Sequence, residues 1–196
     1  SFFLWYTNLN GSLDDNEIKF FLEKLKQNAE EIGDSLDQDR YARIKVFMEE
    51  DDGKQFFMIN NVDLDEDPEI IEGIQEGDSA EIILGKYTDH VFPEIFKRAS
   101  HPIFMGSSIH RSMDIIGIEN AEIWDSVGVI RYKSRRALME LATNPIFERK
   151  HKFKVAALEK TIAYPVKLGF YLGDPRIVLA FILLIIGLLV RPITRK

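Results

Sequence analysis

The chain has no cysteine. That absence excludes a disulfide framework, a thiolate metal site and a thiol nucleophile, and it fits a reducing compartment. Other chemical signatures are missing too. There is no glycine-rich phosphate loop, no G-x-S-x-G elbow and no H-E-x-x-H pair. The histidines His90, His101, His110 and His151 share no ligand spacing, apart from Glu94 four residues after His90. No metal and no cofactor is expected. The acidic stretch Asp63–Asp67 lacks the glycine and closing glutamate of a calcium loop and reads as solvated. Basic residues are scarce in the first part. Residues 1–78 hold 7 Lys and Arg against 21 Asp and Glu, whereas residues 79–196 hold 18 against 11. The net charge of −7 argues against a nucleic-acid partner.

One hydrophobic run stands out against this acidic background. Residues 177–190 read IVLAFILLIIGLLV, between Arg176 and Arg191. As a helix the run spans about 21 Å, and Pro175 to Ile193 spans about 28 Å, against a hydrocarbon core of about 30 Å. Arg176 and Arg191 have stems long enough to carry their charges to lipid headgroups. Asp174 and Pro175 suit an N-cap and a first turn, and Pro192 marks the end. Phe170 and Tyr171 suit the interface. A helix in a protein core keeps a polar stripe, and this run has none. Ala180 and Gly187 are seven apart and share a face suited to helix packing. The expected anchor therefore includes Arg176, Ile177, Phe181, Gly187 and Arg191, in a single-pass membrane protein. Orientation is balanced: Lys160, Lys167 and Arg176 precede the run, and Arg191, Arg195 and Lys196 follow. The globular part is assigned to the cytoplasmic side. Phe2–Tyr6 is apolar but has no basic flank, so no signal peptide is read there.

Periodicity divides the chain into a helical extension (1–54), an α/β domain (55–169) and the membrane tail (170–196). Ile18, Phe21, Leu22 and Leu25 recur at helical spacing after Asp14–Asp15, in a helix ending near Gly33. A second helix starts at Ser35 or Asp37, carries Tyr41, Ile44, Phe47 and Met48, and stops at Asp51-Asp52-Gly53. Both are expected to pack on the following domain. Strand formers then fill Gln55–Val62, Pro102–Ile109, Trp124–Lys133 and Thr161–Leu168. Helices are predicted from Ser79 to about Ser100, with Pro93 inside, after the cap Ser134, and again from Asn144-Pro145 to about Leu158. The order is β-α-β-β-α-β, the split-βαβ ferredoxin-like plan. It covers one sheet face with helices and leaves the other face to be buried by a second copy.

Local phrases reinforce that plan. They are Arg131-Tyr132-Lys133-Ser134-Arg135, Pro145-Ile146-Phe147, the basic helix with His151, Lys152 and Lys154, and Ala157 to Thr161. Together with the opening FFMINNVDL they make residues 55–168 resemble an uncharacterised family of small dimeric α/β-barrel proteins. The resemblance implies an α+β, ferredoxin-like dimeric α/β barrel and a homodimer through the sheet face. To this the sequence adds N-terminal helices and one C-terminal transmembrane helix. The resemblance implies no reaction, because its superfamily includes monooxygenases, haem-binding enzymes, isomerases and members without known activity.

The candidate catalytic residues are His110 and Arg111, expected to point into the cleft between sheet and helices, together with Tyr132. Tyr132, Trp124, Tyr87 and Phe104 suit either an apolar pocket or plain core. Arg131 suits an anionic group or a pairing with Asp125. His151 is expected to be a surface or packing residue. Arg149, Lys150, Lys152 and Lys154 suit either lipid phosphates or a solvated face. Two functions follow. The first is a membrane-anchored accessory or assembly subunit, with the lipid bilayer, a second copy and other membrane-protein subunits as partners. The second is an enzyme or binder of a small apolar molecule in the barrel cleft.

Overall fold

The computed structural model describes residues 1–31, 37–169 and 171–190. Expectations for Gly33, Ser35, Phe170, Arg191, Pro192, Arg195 and Lys196 lie outside the described residues. Those residues form an α+β fold with seven helices and one four-stranded antiparallel sheet.

The N-terminal part is helical, as the spacing requires. A five-residue helix, α1 (Phe2–Tyr6), comes first; it is too short to show periodicity. Helix α2 (Asp15–Glu31) opens on a reciprocal cap. Asp14 accepts the N–H groups of Asn16 and Glu17, and Glu17 accepts the N–H of Asp14. Helix α3 (Gln38–Glu49) is capped by Asp37. Ile18, Phe21, Leu22 and Leu25 meet Met48 and, from the domain that follows, Met139. The extension is thus packed on the domain. The turn after α3 needs glycine. Gly53 has φ +68°, and a Cβ there would lie 2.7 Å from the Gly11 carbonyl carbon.

The domain runs β1 (Phe56–Leu64), α4 (Ala80–Lys97), β2 (His101–Ser107), β3 (Ser126–Tyr132), α5 (Arg135–Ala142), α6 (Pro145–Ala156) and β4 (Leu158–Val166). The sheet order is β2-β3-β1-β4, with β1 antiparallel to both β3 and β4. Local chemistry sets several boundaries. Ser134 accepts the Ala137 N–H, and Asn144 accepts the Ile146 N–H ahead of α6. Strand β4 begins before the expected Thr161. Lys160 lies opposite Asp63 and pairs with its carboxylate at 2.9 Å, which also removes Asp63 from solvent. Strand β2 stops at Ser107, short of the expected Ile109. Asp125 turns the chain there, accepting the Ser108 N–H on its carbonyl and the Leu64 N–H on its carboxylate.

Strand alternation gives the sheet two unlike faces. Phe56, Met58, Ile130 and Tyr132 point to the helices and meet Val91, Ile95 and Leu141. Each fully buried side chain of this kind contributes about 1.5–3 kcal/mol. Phe57, Ile59 and Asn61 lie on the other face, opposite Arg131, Val129 and Val127 on one side and Val166, Tyr164 and Ile162 on the other.

Helix α7 (Pro175–Val190) follows, and none of its residues is buried. Its 16 residues correspond to about 24 Å of helix. Among the described residues no helix is long and apolar enough to cross a membrane. The transmembrane helix expected from the sequence is therefore not shown among the described residues, which hold α7 from Pro175 to Val190.

Candidate functional site

The face of the sheet away from the helices is closed at one end by the chain itself. Tyr6 of α1 and the segment from Tyr171 to Arg176 lie over Phe57 and Arg131, which are both 2% exposed. Arg131 leaves β3 on this face. It donates Nε–H to Gln55 Oε1 at 2.8 Å, an Nη1–H to the Ala99 carbonyl at 2.6 Å and an Nη2–H to the Tyr6 carbonyl at 2.9 Å. Its guanidinium carbon lies 3.6 Å from the centre of the Tyr6 ring. All three acceptors are neutral, so the charge is buried without a hydrogen-bonded carboxylate. Burial pulls the guanidinium down to about 10, which leaves it charged at neutral pH.

The same acceptor ties in the foot of α7. Gln55 Oε1 also accepts from Arg176 Nη2 at 2.9 Å, while Arg176 Nη1 donates to Thr7 Oγ1 at 3.3 Å. Asp174 accepts from Arg176 Nε at 2.9 Å and Nη2 at 2.5 Å. The Arg176 guanidinium holds the Asp174 carboxyl down at about 2. Tyr6 completes the cluster, with its hydroxyl 2.7 Å from His101 Nε2. His101 Nδ1 lies 2.9 Å from the Pro102 carbonyl, which only accepts. Nδ1 therefore donates to that carbonyl, and Nε2 is within hydrogen-bond reach of the Tyr6 hydroxyl. Burial raises the Tyr6 pKa, and the phenol stays protonated.

The other end of this face is bare. Phe104, Ile162 and Tyr164 are 54%, 46% and 42% exposed, around half-buried Ile59, Val127 and Val129. The loop of residues 108–125 extends the apolar surface with Ile109, Met113, Ile116 and Ile118, all exposed. Its base is fixed, since the Ser112 N–H reaches the Glu122 carbonyl and the Ser112 hydroxyl reaches the Ala121 carbonyl.

The residues singled out from sequence are scattered. His110 and Arg111 are not in the space between sheet and helices; with Ser108, Ile123 and Trp124 they line a shallow surface pocket of about 210 Å³. They stand exposed on the 108–125 loop because β2 ends before them, and Arg111 lies 3.9 Å from Glu122. Tyr132 is far from that loop's surface in character: it is core, stacked on Phe56 at 5.3 Å. The space between sheet and helices is filled by the side chains around it. Trp124 sits at the loop base, donating to the Ala121 carbonyl. Tyr87 packs among Phe147 and His151, which makes His151 a packing residue. Arg131 does not pair with Asp125, whose carboxylate is engaged by Leu64. On α6, Lys150 and Lys152 lie over the Phe153 ring, and Lys152 pairs with Glu72. Arg176 does not reach outward from the tail. It folds back onto Asp174 and Gln55. Ile177 is half-buried, and Phe181 and Gly187 are exposed along α7. The sequence reading missed Tyr6, Gln55 and His101. Their signal was indirect, since an arginine on the inner part of a strand must find acceptors somewhere.

These features define an α+β protein whose four-stranded antiparallel sheet is sealed on one face and half open on the other. No family model matches the chain, and no curated protein matches it significantly. Among solved structures it is similar to RPA0582 from Rhodopseudomonas palustris, a protein of unknown function. The TM-score is 0.55 with 18% identity, over 70% of this chain and 97% of that one. The methylated form of RPA0582 gives 0.56 with 19% identity, over 71% and 96%. The likeness is one of fold.

Proposed function

We propose that this protein is a membrane-anchored interaction module, an accessory or assembly subunit of a larger membrane complex, held to lipid by α7 and paired with a second copy through the bare sheet surface. The observation that carries the anchor is the state of α7: beyond Arg176 it is apolar all round, and none of its residues is buried among the described residues. Exposing such a helix to water is strongly unfavourable, and lipid is the solvent that removes the cost. A hydrophobic segment shorter than the bilayer is accommodated by local thinning and by charged flanks reaching the headgroups. The pairing rests on Phe104, Ile162 and Tyr164, whose exposure leaves an apolar patch that a second sheet of the same kind can cover. The alternative, a small-molecule enzyme, needed an open cleft between sheet and helices, and that space is occupied by Phe56, Ile130, Tyr132 and Leu141.

The test compares the full chain with a chain ending at Arg176, which keeps the polar cluster intact. The full chain should stay in the membrane pellet after an alkaline carbonate wash. The shortened one should be released and still unfold cooperatively. An aggregated or unfolded shortened protein would show that α7 belongs to the core and would sink the reading. Crosslinking in native membranes should then recover stoichiometric partner subunits, and recovery of the lone dimer alone would remove the assembly role.

A further inference from the structure

The polar cluster itself forms one wall of a pocket of about 260 Å³. Its lining includes Lys54, Gln55, Arg131, Lys133 and Arg176. Four of these five are cations, and the anions close to them are few. Asp174 is taken up by Arg176, and Asp52 is bonded to Lys167 at 2.8 Å while also drawing on Lys54. Lys133 has no acidic partner among the described residues. Arg131 is charged and buried, and it uses three of its five N–H groups on neutral acceptors. The pocket therefore holds an excess of positive charge that the protein itself does not neutralise. Arg131 is buried, Lys133 and Arg176 are half-buried and Lys54 is exposed at the rim, and cations gathered in excess favour an anion with several acceptor oxygens.

Position narrows the choice. Arg176 belongs to the first turn of α7, so the pocket opens where the lipophilic helix begins. On the same side α1 exposes Phe2, Phe3, Leu4 and Trp5, side chains suited to the headgroup level of a bilayer. Their neighbour Tyr6 lies under both guanidiniums, with Arg176 at 5.3 Å from its ring. We infer that the pocket formed by Lys54, Lys133, Arg131 and Arg176 binds the phosphate of an anionic lipid headgroup. The inference rests on the reading of α7 as a lipid-embedded helix. It adds a lipid preference to that anchor and gives the bilayer contact a defined place on the domain.

The test uses the full chain and the double variant Lys54→Gln/Lys133→Gln. Neither lysine contributes to the Arg131 or Arg176 bonding, so the fold should be retained. Flotation is measured with vesicles of phosphatidylcholine alone and of phosphatidylcholine with phosphatidylglycerol. Both proteins should float with phosphatidylcholine. Phosphatidylglycerol should strengthen wild-type association, and the double variant should lose that gain by on the order of tenfold. Removing two charges elsewhere, in Lys150→Gln/Lys152→Gln on α6, should leave it intact. An equal loss in both double variants would reduce the effect to general charge attraction and overturn the site. A second arm adds inorganic phosphate to the detergent-solubilised protein at matched ionic strength. Thermal stabilisation of wild type by phosphate, without any phosphatidylglycerol preference, would keep the anion chemistry but overturn the lipid as its source. Failure of the wild type to float with phosphatidylcholine would instead sink the anchor itself.

Discussion

The two ends of the uncovered sheet face bury their surface by different means. At one end the chain folds back on itself and places an arginine, a tyrosine, a histidine and a carboxylate in a bonded cluster over Phe57. At the other, Phe104, Ile162 and Tyr164 remain about half exposed among the described residues. The closed end is specific in geometry, because every acceptor of Arg131 must be in place at once. The bare end is unspecific until something covers it. One sheet thus carries a finished surface where α7 begins and an unfinished one where a second copy is proposed to pair.

Breaking the closed end should cost most. Arg131→Met removes three buried hydrogen bonds and strands the Ala99 and Tyr6 carbonyl oxygens, so a destabilisation of about 3–5 kcal/mol is expected. Urea unfolding of the chain ending at Arg176 measures it, and a cost no larger than that of a surface substitution would show that the cluster is ornamental. Asp174→Asn should cost less, about 2 kcal/mol near neutral pH. The folded carboxyl, at about 2, lies below its unfolded value of about 3.9. Its contribution is therefore complete above about pH 4 and disappears as the pH falls towards 2. Wild-type and variant stabilities should converge in acid, and parallel curves would place the effect elsewhere. The smallest effect on folding belongs to the bare end. Phe104→Asp should change monomer stability by no more than about 0.5 kcal/mol. It should still abolish self-association in sedimentation experiments, and an unchanged mass would remove the sheet face as the pairing surface.

The unequal legibility of these parts has a physical basis. The β-α-β-β-α-β order could be read because it is written in short-range terms: strand alternation, and caps such as Ser134 and Asn144 that act within three residues. The closed end was hidden because its bonds are long in sequence. Arg131 reaches Tyr6 across 125 positions and Gln55 across 76. Nothing local to Tyr6 marks it as a lid, and α1 is a single turn. Arg176 was read as a headgroup-seeking flank because its position beside an apolar run suggests that, whereas Asp174 and Gln55 hold it on the domain. His110 and Arg111 were misplaced by a two-residue error in the end of β2. An error of that size is common at element boundaries, and here it moved both residues from the end of a strand into an exposed loop.

The joint between α7 and the domain has a mechanical consequence. The first turn of the helix is bonded to Asp174, Gln55 and Thr7, and Gln55 immediately precedes β1, one of the two inner strands. A helix fastened in this way is a handle and not a tether. The rotation of the helix and the bearing of the bare apolar face are therefore coupled through this joint.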